Sequence, residues 1–298
     1  MFRAIMQRFG RSYNNRYDFL PNDAQEKDRN TLQHNIAVEV LDGRLYLAPV
    51  TNPRRVLDLG CGPGDWTIDV AKRNPTAAVF GIDVEPVKPR VRLPNCRFHL
   101  GDFTEKWPYD GKFDLIHLRH LGSLPSKDVI ATMYDRLEPG GWVEFCEWIV
   151  AIQSPRNSLA DSWFYKWAQH WEAGLNAIGT SAFYPEGYKQ LLLEAGFQNV
   201  TIRKYGVPIN PWPPGKQLQK VGSMMVQNTD LSIEPMSHAI LGGVLGWSTD
   251  AIDGILSEVR KELNDTRVRN FMTLFCVYAQ KPRDFSSSST SLVSAKSR

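Results

Sequence analysis

The sequence predicts an α/β protein built on a doubly wound parallel sheet. Three observations carry this. Short apolar runs alternate with helical patterns, the first run breaks into a glycine-rich turn that opens a helix, and acidic residues follow three successive runs. In order, the strands are "RRVLDLG", "AVFGIDV", "CRFHLGDF", "FDLIHLR" and "WVEFCEW". An apolar run that ends in glycine reads as a strand buried on both faces. Between them, "DWTIDVAKRN" places Trp66, Val70 and Ala71 on one helical face, and "SKDVIATMYDRLEPGG" reads as a helix stopped by Pro-Gly-Gly.

The second half changes rhythm. "SLADSWFYKWAQHWEAGLNAIG" and "PEGYKQLLLEAG" read as helices, and "NVTIRKYGVPI" as a strand. "NPWPPGKQ" is too proline-rich for regular structure. Two more helical stretches follow, the second being "STDAIDGILSEVRKELND", and "FMTLFCVYAQ" closes the fold as a strand. The expected organisation is a helical N-terminal segment over residues 1–52 covering the ligand site, a catalytic domain over 53–284, and a disordered low-complexity tail over 285–298. Helical insertions fall near 155–190 and 207–265, forming a cap.

Composition bounds the function. The 298 residues are 42% hydrophobic and 22% charged, ordinary for a soluble globular chain. No apolar run is long enough to span a membrane. A net charge of +3 without a basic stripe argues against nucleic acid. Cys61, Cys96, Cys146 and Cys276 are scattered, with no CxxC and no metal spacing, and are expected to be reduced thiols of an intracellular protein. No metal is expected, and the cytoplasm is the expected location, with the nucleus as an alternative. In "MFRAIMQRFGRSYNNRY", Phe2, Ile5, Met6 and Phe9 fall at helical spacing among Arg3, Arg8, Arg11 and Arg16. That resembles a mitochondrial presequence; a short surface helix packed onto the domain is the plainer reading.

The glycines Gly60, Gly62 and Gly64 in "VLDLGCGPGDW" sit where something must touch the main chain. Dinucleotides and S-adenosylmethionine both use a strand, a glycine turn and a helix. The dinucleotide fingerprint is GxGxxG, but here Asp65 occupies the place of its third glycine. An acid at the helix start repels a pyrophosphate and suits a ligand carrying a sulfonium and an ammonium. Asp58, before the turn, can meet that ammonium. Asp83, at the end of "VFGID", is placed to reach two ribose hydroxyls. Asp102 can accept from an adenine amino group, with Phe103 stacked on the ring; a solvated Gly-Asp turn is the rival for Asp102.

This layout resembles a class I S-adenosylmethionine-dependent methyltransferase, whose Rossmann-like fold is a seven-stranded sheet with the last strand antiparallel. "YDFLPNDAQEKDRNTLQHNIAVEVLDGRLYLAPV", "FDLIHLRHLGS", "LEPGGWVEFCEW" and "VLGWSTDAIDGILSEVRKEL" are more specifically similar to the fungal LaeA-like methyltransferases, over about Gly10 to Pro282. The resemblance implies cofactor contacts at Gly60, Gly62, Gly64, Asp83 and Asp102. The family often carries GTGTG where this chain has GCGPG, with the glycines kept. It tends to show His-x-Tyr where this chain reads Arg269-Asn270-Phe271, so the acceptor is expected to differ if that pair touches it.

A methyl acceptor of hydroxyl type must lose a proton, so a base is expected near the transferred methyl. His120, after the fourth strand, is one candidate, and Glu147, after the fifth, the other. His117 is mid-strand and reads as a bonded core histidine. Trp163, Trp167 and Trp171 form one helical stripe, either core packing or, with Trp212, a wall over a flat hydrophobic acceptor. Three functions follow. The first is a methyltransferase that tailors a small hydrophobic natural product on oxygen or nitrogen. The second is a LaeA-like regulator of secondary metabolism working through velvet-type protein partners, and the third, on glycine spacing the least favoured, is a nucleotide-dependent dehydrogenase.

Overall fold

The computed structural model describes residues 11–13, 20–105, 107–155 and 162–283. The arginine-rich N-terminal pattern falls almost wholly outside the described residues, and so does the tail over 285–298. Seven strands form one sheet: β1 (Arg55–Leu59), β2 (Ala78–Asp83), β3 (Cys96–Leu100), β4 (Phe113–Arg119), β5 (Leu137–Gln153), β6 (Gln198–Pro208) and β7 (Phe271–Gln280). Their order is β3-β2-β1-β4-β5-β7-β6. Strands β1 to β5 pair in parallel, and β7 runs antiparallel between β5 and β6. The expected seven-stranded class I architecture is what the chain builds.

The order reverses between β1 and β4, and a crevice opens there beyond the carboxyl ends of the strands. Helix α1 (Ala24–Val40) crosses that end, N-capped by Asp23 through the Glu26 amide. Helix α2 (Asp65–Arg73) follows the glycine turn and buries Trp66, Ile68, Val70 and Ala71 against the sheet. Helix α3 (Lys127–Arg136) starts on a Ser126 cap and packs Ile130 and Met133 into the core. The expected Pro-Gly-Gly stop lies beyond the helix. Leu137 to Gly141 already belong to β5, because Gly140 takes φ +83° and its amide donates to Lys281 O at 3.0 Å, tying the segment to the end of β7.

Between β5 and β6, α4 (Trp163–Ala177) starts the cap, while α5 (Tyr188–Glu194) packs Tyr188 and Leu192 into the sheet core beside α3. The cap is completed by α6 (Lys216–Ser237) and α7 (Thr249–Leu263), both between β6 and β7. Its core joins Phe164, Trp167, Ile233, Ile240, Leu256 and Val259 to the sheet residues Leu274 and Val207. No helix among the described residues is long and apolar enough to cross a membrane.

The cysteine expectation is corrected in part. Cys146 and Cys276 stand opposite one another in the β5–β7 register, with Cα atoms 4.2 Å apart, and are joined as a disulfide. They are 130 residues apart, so only strand pairing brings them together. Cys61 and Cys96 are free thiols.

Candidate active site

The turn after β1 is held by its own backbone. The Gly60 and Cys61 amides both donate to Ile82 O, at 2.9 and 3.1 Å, and the Gly64 amide closes back on Cys61 O at 3.0 Å. Gly60, Gly62 and Gly64 all have positive φ, at +67°, +54° and +89°. Asp83 supports the turn from β2. Its carboxylate accepts from the Gly62 amide at 2.7 Å and the Glu85 amide at 3.0 Å, and burial raises its pKa.

A cavity of about 770 Å³ begins at this turn. Asp58, Gly60, Gly62, Asp83 and Phe103 line it. Two expected cofactor contacts do not. Gly64 sits behind the wall, where a Cβ would meet the Phe98 ring at 2.7 Å, so its missing side chain serves the packing of α2 against β3. The Asp102 carboxylate turns back to accept from the Thr104 amide and hydroxyl at 2.8 and 2.6 Å, which is Gly-Asp turn chemistry.

Asp58 is buried, and its oxygens already have protein partners, the Thr67 hydroxyl at 2.7 Å and His117 Nδ1 at 2.9 Å. His117 therefore donates from Nδ1 to the carboxylate, and its ring lies flat on Trp66 at 3.7 Å. It is the bonded core histidine its mid-strand position predicts. Asp58 is thus fixed as the floor of the cavity and can meet an ammonium only through its remaining lone pairs.

At the other end the wall is aromatic and apolar: Trp148, Trp167, Trp171, Phe164, Met236 and Ile240. The tryptophan wall is only partly the expected one. Trp167 and Trp171 line the cavity, with rings 6.0 Å apart, and Trp167 also anchors to Ser237 Oγ at 2.8 Å. Trp163 points to solvent under the Lys166 ammonium, because each four-residue step turns the stripe further round the helix. Trp212 is spent on Asn270 O at 2.9 Å and does not line the cavity. Arg269, Asn270 and Phe271 lie off the cavity wall too, so that departure from the family pattern does not touch it.

Both candidate bases stand where the two ends meet. His120 follows β4 with φ +60°, a left-handed conformation that costs a non-glycine residue on the order of 1 kcal/mol or more. Its ring stacks on Trp148 at 5.9 Å, and both ring nitrogens are shielded from water without a hydrogen-bond partner among the described residues. Burial first, then the nearby Arg119 and Arg29 cations, hold its pKa well below the ordinary histidine value, so it is neutral. Glu147, buried, has a pKa pushed up to about 7 by burial. It accepts from the Tyr184 hydroxyl at 2.7 Å, the Leu121 amide at 3.0 Å and the Tyr188 hydroxyl at 3.4 Å. Glu147 thereby pins the loop that follows His120.

The sequence reading missed the residues that roof the cavity. On α1, buried Arg29 donates to Glu26, Gln33 and Asn228, tying this helix to α6. Thr31 Oγ1 donates to Asp65 at 2.6 Å, and His34 Nε2 bonds Asp69 Oδ2 at 3.2 Å. Arg119, closing β4, also lines the cavity. A charged residue ending the apolar run "FDLIHLR" was the visible signal for it.

Comparison with known proteins agrees with this geometry. The family described as "Methyltransferase domain" matches residues 32–202. The chain is 30% identical to "Methyltransferase pytC" of Aspergillus terreus, covering 88% of this chain and 82% of the relative. It is 33% identical to "Secondary metabolism regulator laeA" of Aspergillus fumigatus, covering 88% and 72%. A solved Haemonchus contortus phosphoethanolamine N-methyltransferase 2 is 15% identical at a TM-score of 0.45, covering 95% of this chain and 61% of that one. A glycine turn of this build, on a seven-stranded sheet with β7 antiparallel, in a chain whose residues 32–202 match that family, makes the assignment plain: the chain belongs to the methyltransferase-domain family and is an S-adenosylmethionine-dependent enzyme.

Proposed function

We propose that the chain methylates a hydroxyl, or a nitrogen, on a hydrophobic natural product of fungal secondary metabolism. One observation carries the reading: a single cavity runs from the glycine turn to the aromatic wall, and both His120, unpartnered at its ring nitrogens among the described residues, and Trp148, on which it stacks, line it. The turn fits S-adenosylmethionine. Its backbone leaves open space at Gly62, Asp83 is aimed at the same end, and the acid Asp65 stands in the first turn of the helix that a pyrophosphate would need. In the bound state that cofactor supplies an electrophilic methyl, so the protein's work is positioning and proton removal.

In this reading Gly60, Gly62, Asp83 and Phe103 hold the nucleoside, and Asp58 faces the ammonium. Trp148, Trp167 and Trp171 hold the acceptor and exclude water. His120 is the base: with the cofactor bound, a ring nitrogen would take the proton of the acceptor hydroxyl once the imidazole turns from its stack on Trp148. Neutrality at physiological pH leaves that nitrogen free to accept. Glu147 fixes the loop that sets His120.

The likeness to laeA favours a second reading, a regulator acting through a velvet-type protein partner. Metabolite profiling separates the two. A deletion strain is complemented with wild type, His120→Ala or Gly62→Trp. One product short by one methyl in both variants supports the enzyme. Loss of several unrelated compounds on deletion, restored by both variants, overturns it in favour of the regulator.

A further inference from the structure

Arg119 is a cation in the cavity wall with no anion of its own. Among the described residues it forms no ion pair. Its one hydrogen-bond partner is His34 Nδ1, at 2.8 Å from Nη2. A guanidinium only donates, so Nδ1 must accept, and His34 carries its proton on Nε2, which donates to Asp69 Oδ2. His34 thus offers Arg119 an accepting ring nitrogen and no negative charge. Asp58, Asp65, Glu144 and Glu147 act on the guanidinium only from a distance, and burial opposes its charge. A partly desolvated guanidinium of this kind is matched by a planar anion taken two-pronged.

The place decides which anion. In the β1–β4 register Leu59 faces Leu118, so Arg119 stands beside Gly60 on the β4 side of β1, while Asp83 stands on the β2 side. A ligand whose ribose lies at Asp83 directs its amino-acid end toward β4. We infer that Arg119 binds the methionine carboxylate of S-adenosylmethionine, with His34 and Asp69 positioning the guanidinium; this rests on the methyl-donor assignment. Because His34 belongs to α1, the helix that roofs the cavity also orients the group that holds the cofactor's end.

The test compares equilibrium binding of S-adenosylmethionine and its decarboxylated analogue, which lacks only the carboxylate, by calorimetry. The wild type is expected to bind the intact cofactor about 10- to 100-fold more tightly, the scale of hydrogen bonds to a charged group. Arg119→Met should bring that ratio near one while leaving affinity for the analogue within a few-fold. His34→Ala should lower the ratio less than Arg119→Met does. A merely structural role for Arg119 would weaken both ligands together and keep the ratio, which overturns the proposal. Equal binding by the wild type overturns it without any variant. Failure of the wild type to bind either ligand overturns the donor assignment itself.

Discussion

The two ends of the cavity are built by different means. At the glycine-turn end, backbone and short-range contacts make the site: three positive-φ glycines and a carboxylate from the neighbouring strand bonded to the turn. At the aromatic end, side chains make it, delivered by α4, α6 and the end of β5 from stretches far apart in sequence. The first end is rigid because its bonds are local and mutually supporting. The second is a packed surface, which tolerates change of shape so long as volume is kept. A fold that must keep one cofactor and vary its acceptor is served by this division.

The largest effect expected from breaking the comparison falls at the junction. His120→Ala should lower turnover by about 10²- to 10⁴-fold, the usual share of a general base, while S-adenosylmethionine affinity stays within a few-fold. Steady-state kinetics beside calorimetry reads both. An intact turnover number would remove His120 from the chemistry and leave its strained backbone and orphan nitrogens unexplained.

Next in size is a contrast within the turn. Gly64→Val forces a side chain into a φ of +89° with its Cβ 2.7 Å from Phe98, and should cost about 2–4 kcal/mol of stability through strain and overpacking. Gly62→Ala has open space at Cβ and should cost only the backbone penalty, on the order of 1 kcal/mol. Urea unfolding of the two variants tests it, and equal losses would mean that the Phe98 contact is not what holds Gly64. A smaller effect is expected from Asp83→Ala, which should weaken cofactor binding by about 1–3 kcal/mol. An unchanged affinity in a folded variant would show that Asp83 serves the turn alone.

What the sequence made legible follows the same division. Asp58, Gly60, Gly62 and Asp83 were found because strand, turn and helix are contiguous and the glycine spacing is chemically restrictive. At the aromatic end, two of the four tryptophans expected to form a wall line the cavity. Helical spacing put three tryptophans on one stripe, but whether a stripe faces a core or a cavity depends on which helices pack against it, and Trp163 and Trp212 turned out to face elsewhere. Trp148 was hidden inside a strand pattern. The Arg119–His34–Asp69 chain joins residues up to 85 positions apart, and no local period announces such a pairing. Nor did periodicity reveal Cys146 opposite Cys276, because β7 is inserted beside β5 last.

The smallest effect expected is a pH dependence that ties the junction to stability. Burial pushes both Glu144 and Glu147 up to about 7 in the folded chain. Unfolded, each titrates near the ordinary glutamate value of about 4.3. Between these values the folded chain holds protons that the unfolded chain has released. Stability from these groups is therefore complete below the unfolded value, falls as pH rises toward 7, and levels off above it. Asp69, held to about 2 mainly by His34, acts oppositely, and its contribution is lost only as pH falls below the ordinary aspartate range. The effect of the two glutamates is to lower the urea midpoint at pH about 7.5 relative to about 5, against an opposite contribution from His117 and His120, which burial holds below the ordinary histidine value. Glu147→Gln keeps an acceptor for the Leu121 amide but cannot ionise, so it should shrink that difference even if it shifts both midpoints. Glu144 stays behind in the variant, accepting from the Leu47 and Ala48 amides at 2.7 and 2.6 Å, so a residual slope is expected. A midpoint change between those two pH values that is the same in wild type and Glu147→Gln would show that Glu147 is ionised in the folded protein at both, and it would then be an available carboxylate base competing with His120.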